Sequence, residues 1–484
     1  MMKNIKAFLL KGFSFWRKGS MNPHMSPHIY HTKDHPIRNR QISKNSLQVI
    51  NRLNSAGFNA YLVGGGVRDL LLGLSPKDFD IVTDAHPSEI RRVFRNSRII
   101  GRRFRLVHVV FGREIIEVAT FRSNEANDQS KHYQTNQEGF VTRDNIYGTI
   151  DEDALRRDFT INALYYDVRN QTIIDYCNGY QDLKSRRLSL IGDPTERFLE
   201  DPVRILRAIR FEAKLGLTID PELLPFIAEH RHLLATVSPA RMYDEVLKLF
   251  LTGHGEHSYH SMIAHELFEI LFPLTYNALE REGFPDQHLL LRSLQNSDER
   301  AAAGLTSSPY FVYASLLWAP FVAIYEKEIV KGKRNSDASS SAIDEVFKVQ
   351  HQITVIPRYV REFIEELWIF QFRLQAKVIR QPKRLMEHPR FKAAYDFLLL
   401  RADAQESDEV IEKAQYWEAQ FKDYEQRLLA KEREAAREER REGKRAVAAE
   451  IKTHQQNDDA STEPKKRRRR PRRRNRSKES PAKS

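Results

Sequence analysis

One cysteine, Cys177, stands in a chain of 484 residues. It excludes an internal disulfide, fits a reducing compartment, and reads as a small core residue rather than a nucleophile. No uninterrupted apolar run of about 18 residues occurs, so no membrane-spanning helix is expected. A secretory signal is missing too: the apolar stretch within residues 1–20 is broken by Lys11, and no small-residue cleavage site follows. That basic, aromatic segment suits peripheral contact with a membrane surface. We prefer the alternative, a flexible leader upstream of a second start at Met21. The expected location is the cytoplasm, and the expected state is a monomer.

What is there is organised around YLVGGGVRDLLLGLSPKDFDIVTD, residues 61–84. Ala60-Tyr61-Leu62-Val63 reads as a buried strand. Gly64, Gly65 and Gly66 follow, and Val67-Arg68-Asp69-Leu70-Leu71-Leu72 predicts the start of a helix ended by Gly73. Glycines between a strand and a helix let backbone approach an anionic ligand closely. Asp78-Phe79-Asp80-Ile81-Val82 predicts a second strand, in which Asp78 and Asp80 share a face and Phe79 points into the core. Two neighbouring carboxylates repel unless a cation lies between them. Beside a phosphate-cradling loop, the expected cation is Mg²⁺, held by carboxylates and substrate phosphates. An isolated Asp-x-Asp is more often a solvated turn, and only its place beside the glycines reverses that reading.

Around this centre, a helix is predicted from Leu47 to Ala56, with irregular chain before Ser43. A helix follows His86-Pro87, and strands are predicted at 107–111 and 115–121, joined by a hairpin at Gly112-Arg113. Glu117 lies within the second; it is either a third acidic group at the carboxylates, one that supports them from behind, or a solvent-facing edge residue. Residues 123–145 are hydrophilic and read as a mobile loop. Residues 150–164 predict one helix, with Asp158 and Asn162 on one face. A hairpin is predicted across 165–168 and 173–176. In RFLEDPVRILRAIRF, residues 197–211, Asp201 precedes a proline with N-cap chemistry. Arg204, Arg207 and Arg210 follow as a stripe able to hold triphosphate, base edge or RNA backbone; a charged solvent face is the alternative. Helical spacing recurs at 261–275, 308–330, 341–350 and 358–375, and from about 402 onward.

GGGVRD, DFD, GRRFRL, IIEVATFR, RRDFTINAL and EDPVRILRAIRF, taken together, resemble the motifs of the class II tRNA nucleotidyltransferase and bacterial poly(A) polymerase family, in order and spacing. The resemblance covers residues 60 to about 215. It implies an α+β nucleotidyltransferase head with a small mixed sheet, then all-α neck, body and tail. It further implies that Asp78 and Asp80 bind two Mg²⁺ ions, that Gly64, Gly65 and Arg68 cradle the phosphates, and that Arg157 and Asp158 engage the nucleotide near its sugar. Asp201 and Arg204 match the pair that reads the base edge, with Arg207 and Arg210 as phosphate or RNA ligands. There is no His-Asp dipeptide, which counts against the phosphohydrolase domain attached to some CCA-adding relatives. GRRFRL and residues 381–398 look like the poly(A) polymerase branch.

The C-terminus supports that branch. Lys and Arg number 78 against 65 Asp and Glu, a formal net charge of +13. Most of the excess is Lys465, Lys466, Arg467, Arg468, Arg469, Arg470, Arg472, Arg473, Arg474, Arg476 and Lys478, with no acid among them. Residues 451–484 are poor in apolar side chains and are expected to be disordered. A basic arm raises local RNA concentration whatever the sequence, which serves an enzyme extending many different 3′ ends. The expected organisation is a leader (1–43), head (44–192), helical neck (193–255), helical body (256–430) and charged tail (431–484). The expected reaction is template-independent transfer of AMP from ATP to RNA 3′ ends. CCA addition to tRNA is the near alternative, and an idle RNA-binding protein on the same fold the distant one.

Overall fold

A computed structural model describes residues 26–101, 105–123, 133–135, 141–144, 147–283, 288–379 and 381–459. Strands β1 (His28–Tyr30), β2 (Ala60–Val63), β3 (Asp80–Thr83), β4 (Ser97–Ile100), β5 (Leu106–Phe111) and β6 (Glu114–Thr120) belong to the head. So do β7 (Tyr133–Thr135), β8 (Val141–Asp144), β9 (Leu164–Asp167) and β10 (Thr172–Asp175). Among the described residues, one eight-stranded sheet runs β1-β10-β9-β2-β3-β6-β5-β4. β2 is antiparallel to both β3 and β9, while β3 and β6 are parallel. A crossover through α3 (Pro87–Val93) and the β4–β5 hairpin makes the parallel pairing possible.

The head's other helices are α1 (Lys44–Ser55), α2 (Gly65–Leu71), α4 (Ile150–Leu155) and α5 (Gly179–Lys184). Their starts are written locally. Ser43 accepts a hydrogen bond from the Ser46 amide to begin α1, and Glu89 reaches back to the His86 amide to begin α3. α1 buries Val49, Ile50 and Leu53 at helical spacing.

Helices follow: α6 (Pro194–Glu200), α7 (Val203–Leu215), α8 (Leu224–His230), α9 (Pro239–Phe250) and α10 (Gly255–Ala264). Short β11 (Arg187–Leu188) and β12 (Thr218–Ile219) pair beside α7. The chain continues through α11 (Phe268–Leu271), α12 (Pro273–Arg281), α13 (Leu289–Ala302), α14 (Pro309–Leu316), α15 (Trp318–Val330) and α16 (Asn335–Ile353). It ends with α17 (Arg358–Leu374), α18 (Pro382–Met386), α19 (Phe391–Asp403) and α20 (Asp408–Asp459). One apolar core is continuous from the sheet through these helices, and a smaller one, including Val63, Val82 and Tyr165, fills the sheet's other face. The α+β head is as expected, and the remainder is mostly helical, with short β12 lying in the neck that was expected to be all-α.

Several local expectations are corrected. Ordered chain begins before Ser43, because β1 pairs with β10 and Ile37 is fully buried. Part of the 123–145 loop is β7 and β8, an antiparallel pair. The expected helix 150–164 stops at Leu155 and gives way to a 3₁₀ turn, Thr160–Asn162, and then β9. Asp158 takes the Phe159 amide and the Asn162 side chain instead of continuing the helix. α20 carries helix through 451–459, where disorder was expected; it continues the Ala-, Glu-, Lys- and Arg-rich stretch of residues 430–450, all strong helix formers. The 1–20 segment, Arg102–Phe104 of GRRFRL and the 465–478 arm lie outside the described residues.

Candidate active site

The glycine loop and the carboxylates meet at one end of the central strands. β2 finishes at Val63, directly opposite Asp80 at the start of β3. Gly64 then caps α2 at φ 67°, ψ −128°, a backbone state that suits glycine alone. A side chain on Gly64 would also meet the Arg157 guanidinium, 3.3 Å from the position of its Cβ.

Asp80 opens β3, but Asp78 precedes the strand, contrary to the expected strand 78–82. α2 lies against this stretch: a Cβ on Gly66 would be in ordinary contact with the Phe79 ring at 3.4 Å and the Asp78 carbonyl at 3.5 Å. Phe79 still packs against the main core, as expected. Asp78 and Asp80 are both exposed to solvent. Crowding by surrounding protein, followed by the charge of Glu117 and then Asp78, holds the Asp80 carboxyl above the ordinary carboxylate range, against the pull of Arg157.

Glu117 is therefore not an edge residue. β6 is internal to the sheet, and pairing of Ile81 with Val118 sets Glu117 beside Asp80. Across the next strand, His108 Nε2 lies 3.1 Å from Glu117 Oε1. Among the described residues, no three His, Cys, Asp or Glu side chains converge tightly enough to hold a metal unaided.

Arg68 differs from its expected place in the loop. It lies beneath the loop, 4% exposed, bonded to Asp69 Oδ1 at 2.6 Å and to Asn162 Oδ1 at 2.7 Å. Asn162 passes the connection on, donating to Asp158 Oδ1 at 3.0 Å. Asp158 Oδ2 accepts Arg207 Nε from α7 at 2.7 Å. Burial would raise the Asp158 pKa, but Arg207 and the hydrogen bonds outweigh it and lower it. One polar chain thus runs from the glycine helix to α7. Arg157, the other half of the motif, is clamped by Asp153 at 3.0 Å and by the Tyr165 hydroxyl at 3.2 Å. Burial works against its charge, and Tyr165 and Asp153 prevail to raise its pKa.

Asp201 and Arg204 reach the α6–α7 corner, but each is paired elsewhere. Asp201 receives the Arg241 guanidinium at 2.8 Å, while Arg204 bonds to Glu200 at 2.9 Å and to the Arg197 carbonyl at 2.6 Å. Arg197 itself donates to the carbonyls of Arg156 and Arg157, at 2.7 and 2.6 Å. Cys177 is partly buried, and burial, then Asp175, pushes its thiol up to about 12, as suits a core residue.

Comparison with known proteins decides the family. The sequence is 43% identical over 399 residues to poly(A) polymerase I of Salmonella typhi, covering 82% of this chain and 85% of that protein. Against poly(A) polymerase I of Haemophilus influenzae, identity is 45%, over 81% of this chain and 87% of the relative. The chain belongs to the poly(A) polymerase family. Profiles for the poly(A) polymerase head domain match residues 60–189, for the probable RNA- and SrmB-binding site of polymerase A residues 216–279, and for its arginine-rich C-terminus residues 331–475. The CCA-adding enzyme of Lactobacillus helveticus is 37% identical but matches only 46% of this chain. Among solved structures, the Thermotoga maritima CCA-adding enzyme in complex with tRNA aligns over 79% of this chain with a TM-score of 0.52 at 20% identity, a likeness of fold.

For this member of the poly(A) polymerase family, sequence reasoning named the carboxylates, the loop and both arginine motifs as candidates. It missed Arg197, Asn162 as the central link, Arg241 and His108. Arg197 was visible as an arginine four residues before Asp201. Arg241 and His108 carry no local signal, because their roles come from chain packing across distant elements.

Proposed function

We propose that this chain extends RNA 3′ ends by transferring AMP from ATP without a template. The carrying observation is that its likeness to poly(A) polymerase I spans four-fifths of the chain, against less than half for the CCA-adding match, and that the profile for polymerase A's arginine-rich C-terminus covers residues 331–475. In the reaction, the RNA 3′ oxygen bonds to the α-phosphorus as the α–β phosphoanhydride breaks and pyrophosphate leaves. Asp78 and Asp80, with Glu117 beside Asp80, suit Mg²⁺: crowded, solvent-open carboxylates one of which binds its proton unusually tightly. Two such ions, when bound, favour deprotonation of the attacking hydroxyl and offset charge on the leaving phosphates.

The remaining roles fall to the chain itself. The Gly64–Gly65 backbone lets phosphate oxygens approach the start of α2. Arg157, held rigid by Asp153 and Tyr165, presents its charge between that loop and Asp80. Asp158 and Arg207 fix the distance from loop to α7, where Asp201 and Arg204 stand ready to exchange their present partners for a base edge. Arg68 acts through Asn162 as a positioning residue. The basic arm at Lys465–Lys478 holds RNA, and the cytoplasm is the place of action.

The test offers oligo(A) RNA and a tRNA lacking its terminal CCA to purified protein with Mg²⁺ and ATP, CTP or both. The expected result is a long ladder on oligo(A) with ATP alone. Addition confined to the tRNA, requiring CTP and stopping after CCA, would overturn the reading.

A further inference from the structure

The sheet face that carries Asp80 stays open beyond Glu117. On β5 and β6, every second side chain is buried in the main core: Val107, Val109, Ile116 and Val118 are no more than 2% exposed. The residues between them, Leu106, His108, Val110, Ile115, Glu117 and Ala119, point to the opposite face. None of these six is buried. Leu106, Val110 and Ile115 belong to neither apolar core, and Ile115 is 42% exposed. The open side of an antiparallel sheet ordinarily turns polar side chains to water. Here apolar side chains flank a single polar row.

Strand register sets that row. Asp80 stands beside Glu117, Glu117 pairs with His108 on β5, and His108 pairs with Arg98 on the edge strand β4. Arg98 is exposed and, among the described residues, enters no ion pair. Three strand spacings put it roughly 14 Å from Asp80 along the sheet. An exposed arginine on an edge strand is by itself a common guard against strand pairing between molecules. That role requires neither alignment with Asp80 nor the apolar floor between them.

Phosphoryl transfer sets the attacking and leaving oxygens roughly in line. The glycine loop follows β2, on one flank of β3, and β6 lies on the other flank. A triphosphate held at that loop with its α-phosphorus at Asp80 releases pyrophosphate on the β2 side, so the attacking hydroxyl arrives from the β6 side. We propose that the open face of β6, β5 and β4 is the docking surface for the 3′-terminal nucleotides of the RNA strand. The terminal ribose meets the acids at Asp80 and Glu117, base and sugar cover Leu106, Val110 and Ile115, and Arg98 takes a backbone phosphate upstream. The surface is continuous with the carboxylates and rests on the nucleotidyl-transfer reading for the identity of its occupant.

Crosslinking without turnover tests it, so failure of the surface and failure of the reaction reading remain distinct. The full-length protein, without Mg²⁺ or ATP, is irradiated with oligo(A) and separately with a tRNA lacking its terminal CCA, each carrying a photoreactive base at its 3′ end. The expected crosslink maps within residues 98–119. Obtained from the tRNA alone, it keeps the surface and changes the reaction assigned. Its absence from both RNAs overturns the surface. Kinetics gives a second measure at two exposed positions. Arg98→Gln and Ile115→Glu should raise KM for oligo(A) by about two- to fivefold, the scale of an exposed ionic contact, with KM for ATP close to the parent. The slope of log affinity for oligo(A) against log salt should fall by about 0.7 in Arg98→Gln and hold in Arg98→Lys, which keeps the charge. The basic arm is common to all these proteins and cancels. Folded variants with unchanged KM for oligo(A) overturn the surface; a change of oligomeric state in their place would make a second copy of the chain its occupant.

Discussion

Asp80 carries an electrostatic load that Arg157 only partly offsets. Crowding and the neighbouring acids Glu117 and Asp78 raise its pKa, so its charged form is disfavoured in the folded state. A raised carboxylate pKa withdraws stability at neutral pH and returns it as pH falls through that value. Asp80→Asn should therefore raise the metal-free melting temperature while abolishing AMP transfer, with RNA affinity largely kept. Mg²⁺ should raise the melting temperature of the parent and not of the variant. Differential scanning fluorimetry with a gel assay checks both, and substantial transfer by Asp80→Asn or Asp78→Ala would remove the metal assignment. Asp158 shows the opposite sign. Its pKa is lowered, so its contribution is present above the ordinary aspartate value of about 3.9 and is lost as pH falls toward the folded value. Urea midpoints taken through that acid window should fall less steeply for Asp158→Asn than for the parent. Asn162→Ala leaves a buried Arg68 donor unmatched, and should cost about 1–3 kcal/mol in urea unfolding.

At the scale of elements, the turn after α4 decides where the arginine–aspartate motif stands. α5 presses against it: a Cβ on Gly179 would lie 2.1 Å from the Thr160 carbonyl oxygen. Arg197 of α6 braces the same turn from the other side through two carbonyls. Gly179→Ala must therefore displace backbone. The expected cost is about 1–3 kcal/mol, typical of overpacking, accompanied by a raised KM for ATP as Arg157 and Asp158 shift. An unchanged urea midpoint and unchanged KM would show that α5 does not position the motif. The continuous α20 helix has a different logic: strong helix formers carry it well past its anchors Val410, Ala414 and Trp417 in the core.

At the scale of the whole molecule, charge is distributed unevenly. Most of the formal +13 lies beyond residue 464, and the rest of the chain is near neutral. A chain cut at residue 450 should retain chemistry on short primers, bind RNA more weakly, and show a flatter dependence on salt. Titration of labelled RNA at several salt concentrations measures this, and equal low-salt affinity with and without the arm would end its assigned role.

The sequence by itself determined the nucleotidyltransferase head, the helical remainder, the glycine loop, the carboxylate pair and the basic arm. Each is encoded in adjacent residues, through periodicity, composition or short motif spacing. Tertiary structure decided what those residues face. Asp78 lies outside the strand, which begins at Asp80, and the predicted helix through Asp158 broke because side-chain hydrogen bonds and Gly179 favoured a turn. Glu117 became a neighbour of Asp80 only through the parallel pairing of β3 with β6. Arg68 was withdrawn from the loop by Asn162, nearly a hundred residues further along the chain. Local patterns fix which chemical groups are available, whereas burial and partnership depend on contacts between distant segments, which no local pattern records.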